Sequence, residues 1–193
     1  MSKVVTGTCR ASYARLMSAE VNKLNGKSEY SVVLLIPKSD KQTIDNIKAA
    51  SKEVITAKWG AQPPKGIKNP LKDGDTATKS DGSSMGDEFK GHFYLSTKCD
   101  ATKHKPTVID SNGNELFDPD AVISGDYIRA SMNAFAYDAT ANRGVSFGLN
   151  NVQLVKKGEP LGSSRQSAHD EFGIAKSSAP AKEMATADDD DWA

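Results

Sequence analysis

YIRASMNAFAYDATANRGVSFGLNNVQLV, residues 127–155, reads as a β-hairpin. Alternate residues of its first arm fall on two faces, as the period of a strand requires. One face carries Ile128, Ala130, Met132, Ala134 and Ala136, a core surface. The other carries Tyr127, Arg129, Ser131, Asn133, Phe135 and Tyr137. Exposed aromatics beside a cation and hydrogen-bonding groups form a surface that can stack unpaired bases while holding their phosphates. The same residues also suit a solvated sheet face whose rings pack only on neighbouring side chains.

Working outward, GHFYLSTKC (residues 91–99) repeats this pattern. Gly91, Phe93, Leu95, Thr97 and Cys99 share one face, and His92, Tyr94, Ser96 and Lys98 the other. Two strands with the same aromatic, polar and basic outer face point to one shared binding surface. Upstream, YSVVLLI (residues 30–36) is a continuous apolar run expected to be a central strand ended by Pro37, and residues 3–13 alternate as one further strand. Asn25-Gly26 marks a turn between them. Ser39 is the expected N-cap of a helix with Gln42 completing a capping box, Ile44, Ile47, Val54 and Ile55 forming its apolar stripe, and Trp59-Gly60 closing it. Trp59 suits an anchor to the core better than a stacking residue.

Residues 61–90 read as a long loop, and such loops are usually functional or disordered. Lys65, Lys68 and Lys72 could reach phosphates from it, and Arg10 and Arg143 could do so from strands. Its carboxylates, Asp73, Asp75, Asp81, Asp87 and Glu88, offer a different reading, a metal-dependent nuclease. No positioned histidine or lysine completes such a site in the sequence. Lys103, His104 and Lys105 precede a short strand at residues 106–110 and an Asn112-Gly113 turn. A calcium loop starting at Asp110 fails, because Glu115 stands where glycine is required and Ala121 where the terminal glutamate is required.

The net charge is zero, yet its distribution is uneven. Residues 1–157 hold 22 Lys/Arg against 17 Asp/Glu, a net +5, and residues 158–193 hold 3 against 8, a net −5. A basic body favours a polyanionic partner, and an acidic tail can compete for the same surface. Cys9 and Cys99 are expected to be reduced core residues, and the three histidines form no zinc spacing. There is no P-loop, nucleophile elbow or dinucleotide fingerprint, so no cofactor or metal is expected and the chain reads as a non-enzyme. No apolar run approaches the roughly 18 residues of a membrane span, and the N-terminus lacks a secretory signal, so the cytoplasm is expected. Residues 158–187 read as a flexible linker ending in Asp188, Asp189, Asp190, Asp191 and Trp192. Four carboxylates followed by an indole can imitate a nucleic-acid strand or present the indole to a protein.

Taken together, YSVVLLIPKSD (30–40), NPLKDGD (69–75), GHFYLS (91–96), SGDYIRASMNAFAY (124–137), GLNNVQLVKKGEPLG (148–162) and the acidic tail resemble the tailed-phage single-stranded DNA-binding proteins. The resemblance spans nearly the whole chain. It implies a mainly β fold with one helix, an OB-like barrel over residues 1–157 and a tail over 158–193. It further implies binding of single-stranded DNA without sequence preference in phage replication or recombination inside the host cell, with the tail contacting replication or recombination proteins. A homodimer is permitted but not specified, and no membrane partner is expected. The expected DNA-binding residues are the cations already named with Lys98, Lys103, Lys105 and Arg129, the rings Tyr94, Tyr127, Phe135 and Tyr137, and His92. A protein-binding adaptor acting through the tail is the other alternative. In a five-stranded OB barrel the helix follows the third strand, whereas only two strands are expected before it here, which calls for a rearranged barrel or a first strand split by a bend.

Overall fold

The computed structural model describes residues 2–23, 26–79, 82–139 and 142–161. Along the chain run β1 (Ser2–Val5), β2 (Cys9–Val21), β3 (Ser28–Pro37), α1 (Lys41–Trp59), β4 (Leu71–Asp73), β5 (His92–Asp100), β6 (Thr107–Ile109), β7 (Tyr127–Ala139) and β8 (Asn142–Lys156). The expected hairpin is β7 and β8, paired antiparallel from Tyr127–Lys156 to Ala139–Asn142. Its core face is as expected, with Ile128, Ala130, Met132 and Ala134 fully buried.

Five of the strands close on themselves in the order β2–β3–β5–β8–β7–β2. Every pairing is antiparallel except β5 with β8. This is the order of a Greek-key OB barrel. The interior is filled by Leu16, Val32, Leu34, Ile36, Leu95, Met132, Phe147 and Leu149. Buried polar groups inside it are partnered: the Thr97 hydroxyl donates to the Phe147 carbonyl at 2.9 Å. Three short strands lie outside the ring, β1 on β7, β4 on β5 and β6 on β8.

The single strand expected over residues 3–13 is two strands, interrupted at Thr6–Thr8. The reason is the helix. Asp40, not Ser39, is the N-cap, its carboxylate accepting the Thr43 N–H at 3.0 Å, and the Thr43 hydroxyl accepts the Gly7 N–H at 2.7 Å. A Cβ on Gly7 would fall onto the Asp40 carboxylate, so a side chain there would displace the group that caps the helix. Beyond the bend the faces are reset, with Val4 buried and Val5 half exposed. Helix α1 then docks on β7 and β1 through Ile44, Ile47, Ala50 and Val54. Trp59 packs at its end, where the indole N–H donates to Asp138 at 3.3 Å. The helix thus sits between the second and third barrel strands while the strand order is unchanged.

Ring closure depends on a short seam. β2 meets β7 only at Cys9–Ile128 and Arg10–Tyr127. Beside it, the fully buried Asp126 carboxylate accepts the N–H of Ile123 at 2.9 Å and of Gly158 at 3.1 Å, together with the Lys157 ammonium at 3.1 Å. Composition assigns residues 158–161 to the tail, whereas their hydrogen bonds tie them to the body: Leu161 N–H donates to the Ser124 carbonyl, and Arg10 donates to the Glu159 carbonyl. The acidic tail, including Asp188–Asp191 and Trp192, lies outside the described residues. No helix among the described residues is long and apolar enough to cross a membrane.

Gly125 makes the closest approach at this corner. Its φ is +112°, and a Cβ there would fall onto the Glu159 carbonyl. Gly125→Ala is therefore expected to lower stability by roughly 2 kcal/mol, from backbone strain and loss of the docked segment. Thermal unfolding checks this, with a Tm drop of about 4–8 °C expected; an unchanged Tm would show that the corner tolerates a side chain.

Candidate nucleic-acid interface

Because side chains alternate along every strand, a closed barrel turns half of them outward. On the exterior, strand register lines up one row across all five barrel strands. Arg15 of β2 stands opposite Ser31 of β3, Ser31 opposite Lys98 of β5, Lys98 beside Gly148 of β8, and Gly148 opposite Asn133 of β7. Arg15 reaches this row only because β2 carries an extra residue between Ser12 and Arg15. Tyr13, with φ +48°, occupies that bulge. Bulges re-aim the side chains that follow them.

Two neighbouring grooves lie over the row, with the Lys98–Glu29 pair in the wall of both. One, of about 570 Å³, is lined by Lys27, Lys98, Lys103, His104, Asn133, Phe135 and Asn150, with Gly148 as its bare floor. The other, of about 530 Å³, is lined by Arg15, Glu20, Lys23, Ser31 and Ser96, with Arg15 paired to Glu20 at 2.9 Å, and shares Lys98 and Glu29 with the first. Phe135 is 43% exposed beside Gly148. The nearly buried Glu29 accepts the Lys98 ammonium at 2.8 Å on both oxygens and the Asn22 amide at 2.8 Å, which fixes Lys98 at the centre of the surface. Lys27 pairs with Asp100 at 3.5 Å, and His104 Nε2 lies 3.1 Å from the Leu149 carbonyl. The walls are thus held by short internal contacts while their outer atoms face the groove.

Of the sequence-expected residues, Lys98, Lys103 and Phe135 meet in this groove. Others lie elsewhere. Tyr127 is covered by Lys156 at 4.5 Å and Arg10 at 5.9 Å from its ring centre, and Arg10 also binds the Gly125 and Glu159 carbonyls. These two hold the seam. Tyr94 is half-buried, with Phe89 edge-on at 5.3 Å and the Lys72 ammonium 5.9 Å from its ring, and burial raises the pKa of its hydroxyl. Tyr137 lies against Gly144 near the hairpin tip, where Arg143 pairs with Asp138 at 2.9 Å and the Lys68 backbone bridges to Arg143 and Val145. His92 is turned onto the Lys90 carbonyl at 2.8 Å. Lys65 and Lys105 are exposed and line neither groove. Arg129 sits in a separate recess. Sequence reasoning missed Arg15, Lys23, Lys27, His104 and Asn150. Lys23 and Lys27 carried a signal, since they flank the Asn25-Gly26 turn of the first barrel hairpin.

Of the carboxylates behind the nuclease alternative, Asp73, Asp75 and Asp87 are paired with lysines, Asp87 with Lys90 at 2.7 Å, while Asp81 lies outside the described residues. Lys38 lies 2.7 Å from Asp73 and 2.6 Å from Asp75, and Asp75 also accepts the Gly91 N–H at 2.7 Å. This triad staples the end of β3 to β4 and the start of β5. Among the described residues no three metal-ligating side chains converge. Burial pushes the Cys9 thiol up to about 12 and the Cys99 thiol to about 11, so neither is a thiolate nucleophile near neutrality.

A family model described as Enterobacter phage Enc34, ssDNA-binding protein, matches residues 2–188. The chain belongs to this family. Protein p50 of Acyrthosiphon pisum secondary endosymbiont phage 1 is 31% identical over 180 residues, covering 88% of this chain and 92% of that protein. Among solved structures, the single-stranded DNA-binding protein from bacteriophage Enc34 in complex with ssDNA aligns with a TM-score of 0.69 at 21% identity, over 83% of this chain and 90% of that one. The single-stranded DNA-binding protein gp2.5 encoded by bacteriophage T7 aligns with a TM-score of 0.61 at 19% identity, over 85% and 97% of the two chains. At these identities the likeness establishes the fold, and the Enc34-family member shares the barrel of both.

Hydrogen bonding to Lys38 holds the Asp73 and Asp75 carboxyls below the usual aspartate range. Their stabilising effect is therefore present above about pH 4 and is lost as pH falls through the lowered values. In a carbon-detected NMR titration both side chains are expected to titrate below ordinary aspartates, and Lys38→Met is expected to bring both midpoints up. Unchanged midpoints would mean that the triad does not form in solution.

Proposed function

We propose that this chain binds single-stranded DNA without sequence preference across the Arg15–Ser31–Lys98–Gly148–Asn133 row, and that it serves phage DNA replication or recombination in the host cytoplasm. The observation that carries this reading is the row of two neighbouring grooves, with five cations along their walls beside three carboxylates that pair with some of them, an exposed phenylalanine ring and a floor left bare by glycine. Cations at Arg15, Lys23, Lys27, Lys98 and Lys103 suit a phosphate backbone. The Phe135 ring suits a base face, and only unpaired bases expose such faces. Family membership and the name of the Enc34 relative bound to ssDNA support the same reading. No step in it requires catalysis.

The residues that hold the seam act indirectly. Arg10 and Tyr127 position the chain up to Leu161, and Tyr94 with Lys72 braces β4 on β5. We assign the acidic end, Asp188–Asp191 with Trp192, to competition with DNA for the basic groove and to recruitment of replication or recombination proteins. Opposite charge on body and tail supports this assignment.

Fluorescence anisotropy with labelled single-stranded and duplex oligonucleotides, at two salt concentrations and with or without magnesium, tests the proposal. Selective binding to the intact single strand is expected, with log K falling against log salt at a slope of roughly −3 for about five phosphate contacts. Phe135→Ala is expected to weaken binding by about 1–3 kcal/mol. Gly148→Val is the sharper probe, because a Cβ there meets only ordinary contacts at 3.8 Å or more, so the fold tolerates it while the groove floor fills. A folded Gly148→Val protein with unchanged affinity would place the DNA elsewhere. Removing residues 188–193 is expected to tighten DNA binding at low salt, and no change would argue against competition by the tail.

A further inference from the structure

Arg129 and Ser131 lie on the outer face of β7, away from Phe135, opposite Gln153 and Asn151 of β8. Val5 of β1 and Ile109 of β6 wall this patch on its two sides, forming a recess of about 160 Å³. Its polar chemistry is one-sided. Arg129 spends its Nε–H on the Thr6 carbonyl at 3.2 Å, which fixes the guanidinium plane and leaves the terminal nitrogens for another acceptor. Asn151 accepts the Thr107 N–H on Oδ1 at 3.3 Å, which turns its amide nitrogen outward as a donor. No carboxylate and no aromatic ring lines the recess.

Ser131 supplies the second observation. Its hydroxyl is the only buried side-chain polar atom among the described residues that has no hydrogen-bond partner. A buried hydroxyl without a partner costs stability, and such a group calls for a specific explanation. A tetrahedral oxyanion seated between Ser131, Arg129 and Asn151 provides one, with three donors and a fixed guanidinium matched to its oxygens.

The recess lies next to the groove along the same two strands. Asn133 and Asn150, joined by a 3.1 Å hydrogen bond, line the main groove, while Ser131 and Asn151, their neighbours along β7 and β8, line the recess. A strand leaving the groove passes over this asparagine rung to reach Arg129. We propose that the recess is a phosphate-binding subsite that captures the backbone of the DNA strand as it leaves the groove. The inference rests on the groove being the DNA site. It separates the two ends of that site by chemistry, with stacking and cations at the groove and phosphate alone at the recess.

The test compares a short oligonucleotide of about four residues with a longer one of about twelve, within the range of OB footprints. Ser131→Ala is expected to unfold at the same temperature as the natural protein or higher, because it removes an unpaired hydroxyl, yet to bind the longer oligonucleotide roughly fivefold more weakly. Arg129→Gln is expected to flatten the salt slope for the longer strand by about 0.7. Neither change should alter binding of the short strand, whereas Phe135→Ala should weaken both. If Ser131→Ala and Arg129→Gln bind both lengths normally while Phe135→Ala fails, the subsite is overturned and the groove stands. If Phe135→Ala and Gly148→Val also bind normally, the groove reading itself fails. Inorganic phosphate that shifts the Arg129 Nε–H resonance without any length-dependent effect on DNA would mark a free-anion site and overturn the proposal.

Discussion

Closure of the barrel at the β2–β7 seam is the constraint on which the rest of the structure depends. Only two residue pairs join these strands, Cys9 with Ile128 and Arg10 with Tyr127. Backbone bonds flank this short ladder, from the Thr6 N–H to the Ala130 carbonyl, from the Ala11 N–H to the Asp126 carbonyl and from the Gly125 N–H to the Ala11 carbonyl. The buried Asp126 carboxylate gathers the chain before β7 and the chain after β8 at the same corner, with the Lys157 ammonium beside it. Arg10 and Tyr127, with Lys156 over the ring, add a stacked layer outside. Once the ring is closed, alternation leaves no choice about which residues face water. Ser31, Lys98, Asn133 and Phe135 follow from that closure, and Arg15 and Asn150 from bulges that break the alternation.

The elements with strong periodicity were legible because burial of one face dictates the residue types on it. The hairpin, the strand at residues 91–99, the central strand before Pro37 and the helix all follow that logic. What periodicity could not show was where a strand stops obeying it. Thr6–Thr8 alternate as well as their neighbours, and the break exists because Gly7 must admit Asp40 from a helix more than thirty residues away. The candidate site divides in the same way. Lys98 and Phe135 lie on faces that sequence identifies, whereas Tyr127 and Arg10 look equally suitable in sequence and are taken by the docked residues 158–161. An aromatic beside a cation reads the same whether the pair awaits a ligand or already holds its own chain.

Electrostatics at the groove also differ from what composition suggests. A basic body implies free cations, yet Lys98 and Lys27 are paired with Glu29 and Asp100. Pairing lowers the local field but orders the ammonium groups. Glu29 is nearly buried and bound by both Asn22 and Lys98, so it directs Lys98 outward at a fixed position. In the proposed site an incoming phosphate would meet a cation whose conformational freedom is already spent, which reduces the entropy lost on binding. The modest net charge of the body is sufficient because position, rather than quantity, sets the attraction at short range.

Of the register shifts in the β2–β3 and β7–β8 pairings, three fall along this same surface and one, between Tyr127 and Ile128, lies at the seam. The bulge at Tyr13 shifts β2 by one residue, so that Arg15 rather than Ala14 faces Ser31. A second bulge, between Ser131 and Met132 in the β7–β8 pairing, makes Asn150 the extra residue of β8, where it binds Asn133 at the junction of groove and recess. A tyrosine at φ +48° is costly for a residue with a bulky side chain, and an extra residue in a ladder gives up a hydrogen-bonded pair. The interior shows no such concessions, with the Thr97 and Thr6 hydroxyls both partnered. Bulges also give strands the curl that a closed barrel needs, so closure and side-chain placement are served by the same irregularities. Both bulges act to turn a polar side chain toward one path across the exterior, and the unpartnered Ser131 hydroxyl lies at the end of that path. Two departures from regular pairing thus help to shape the surface proposed for DNA, alongside the cations that line it.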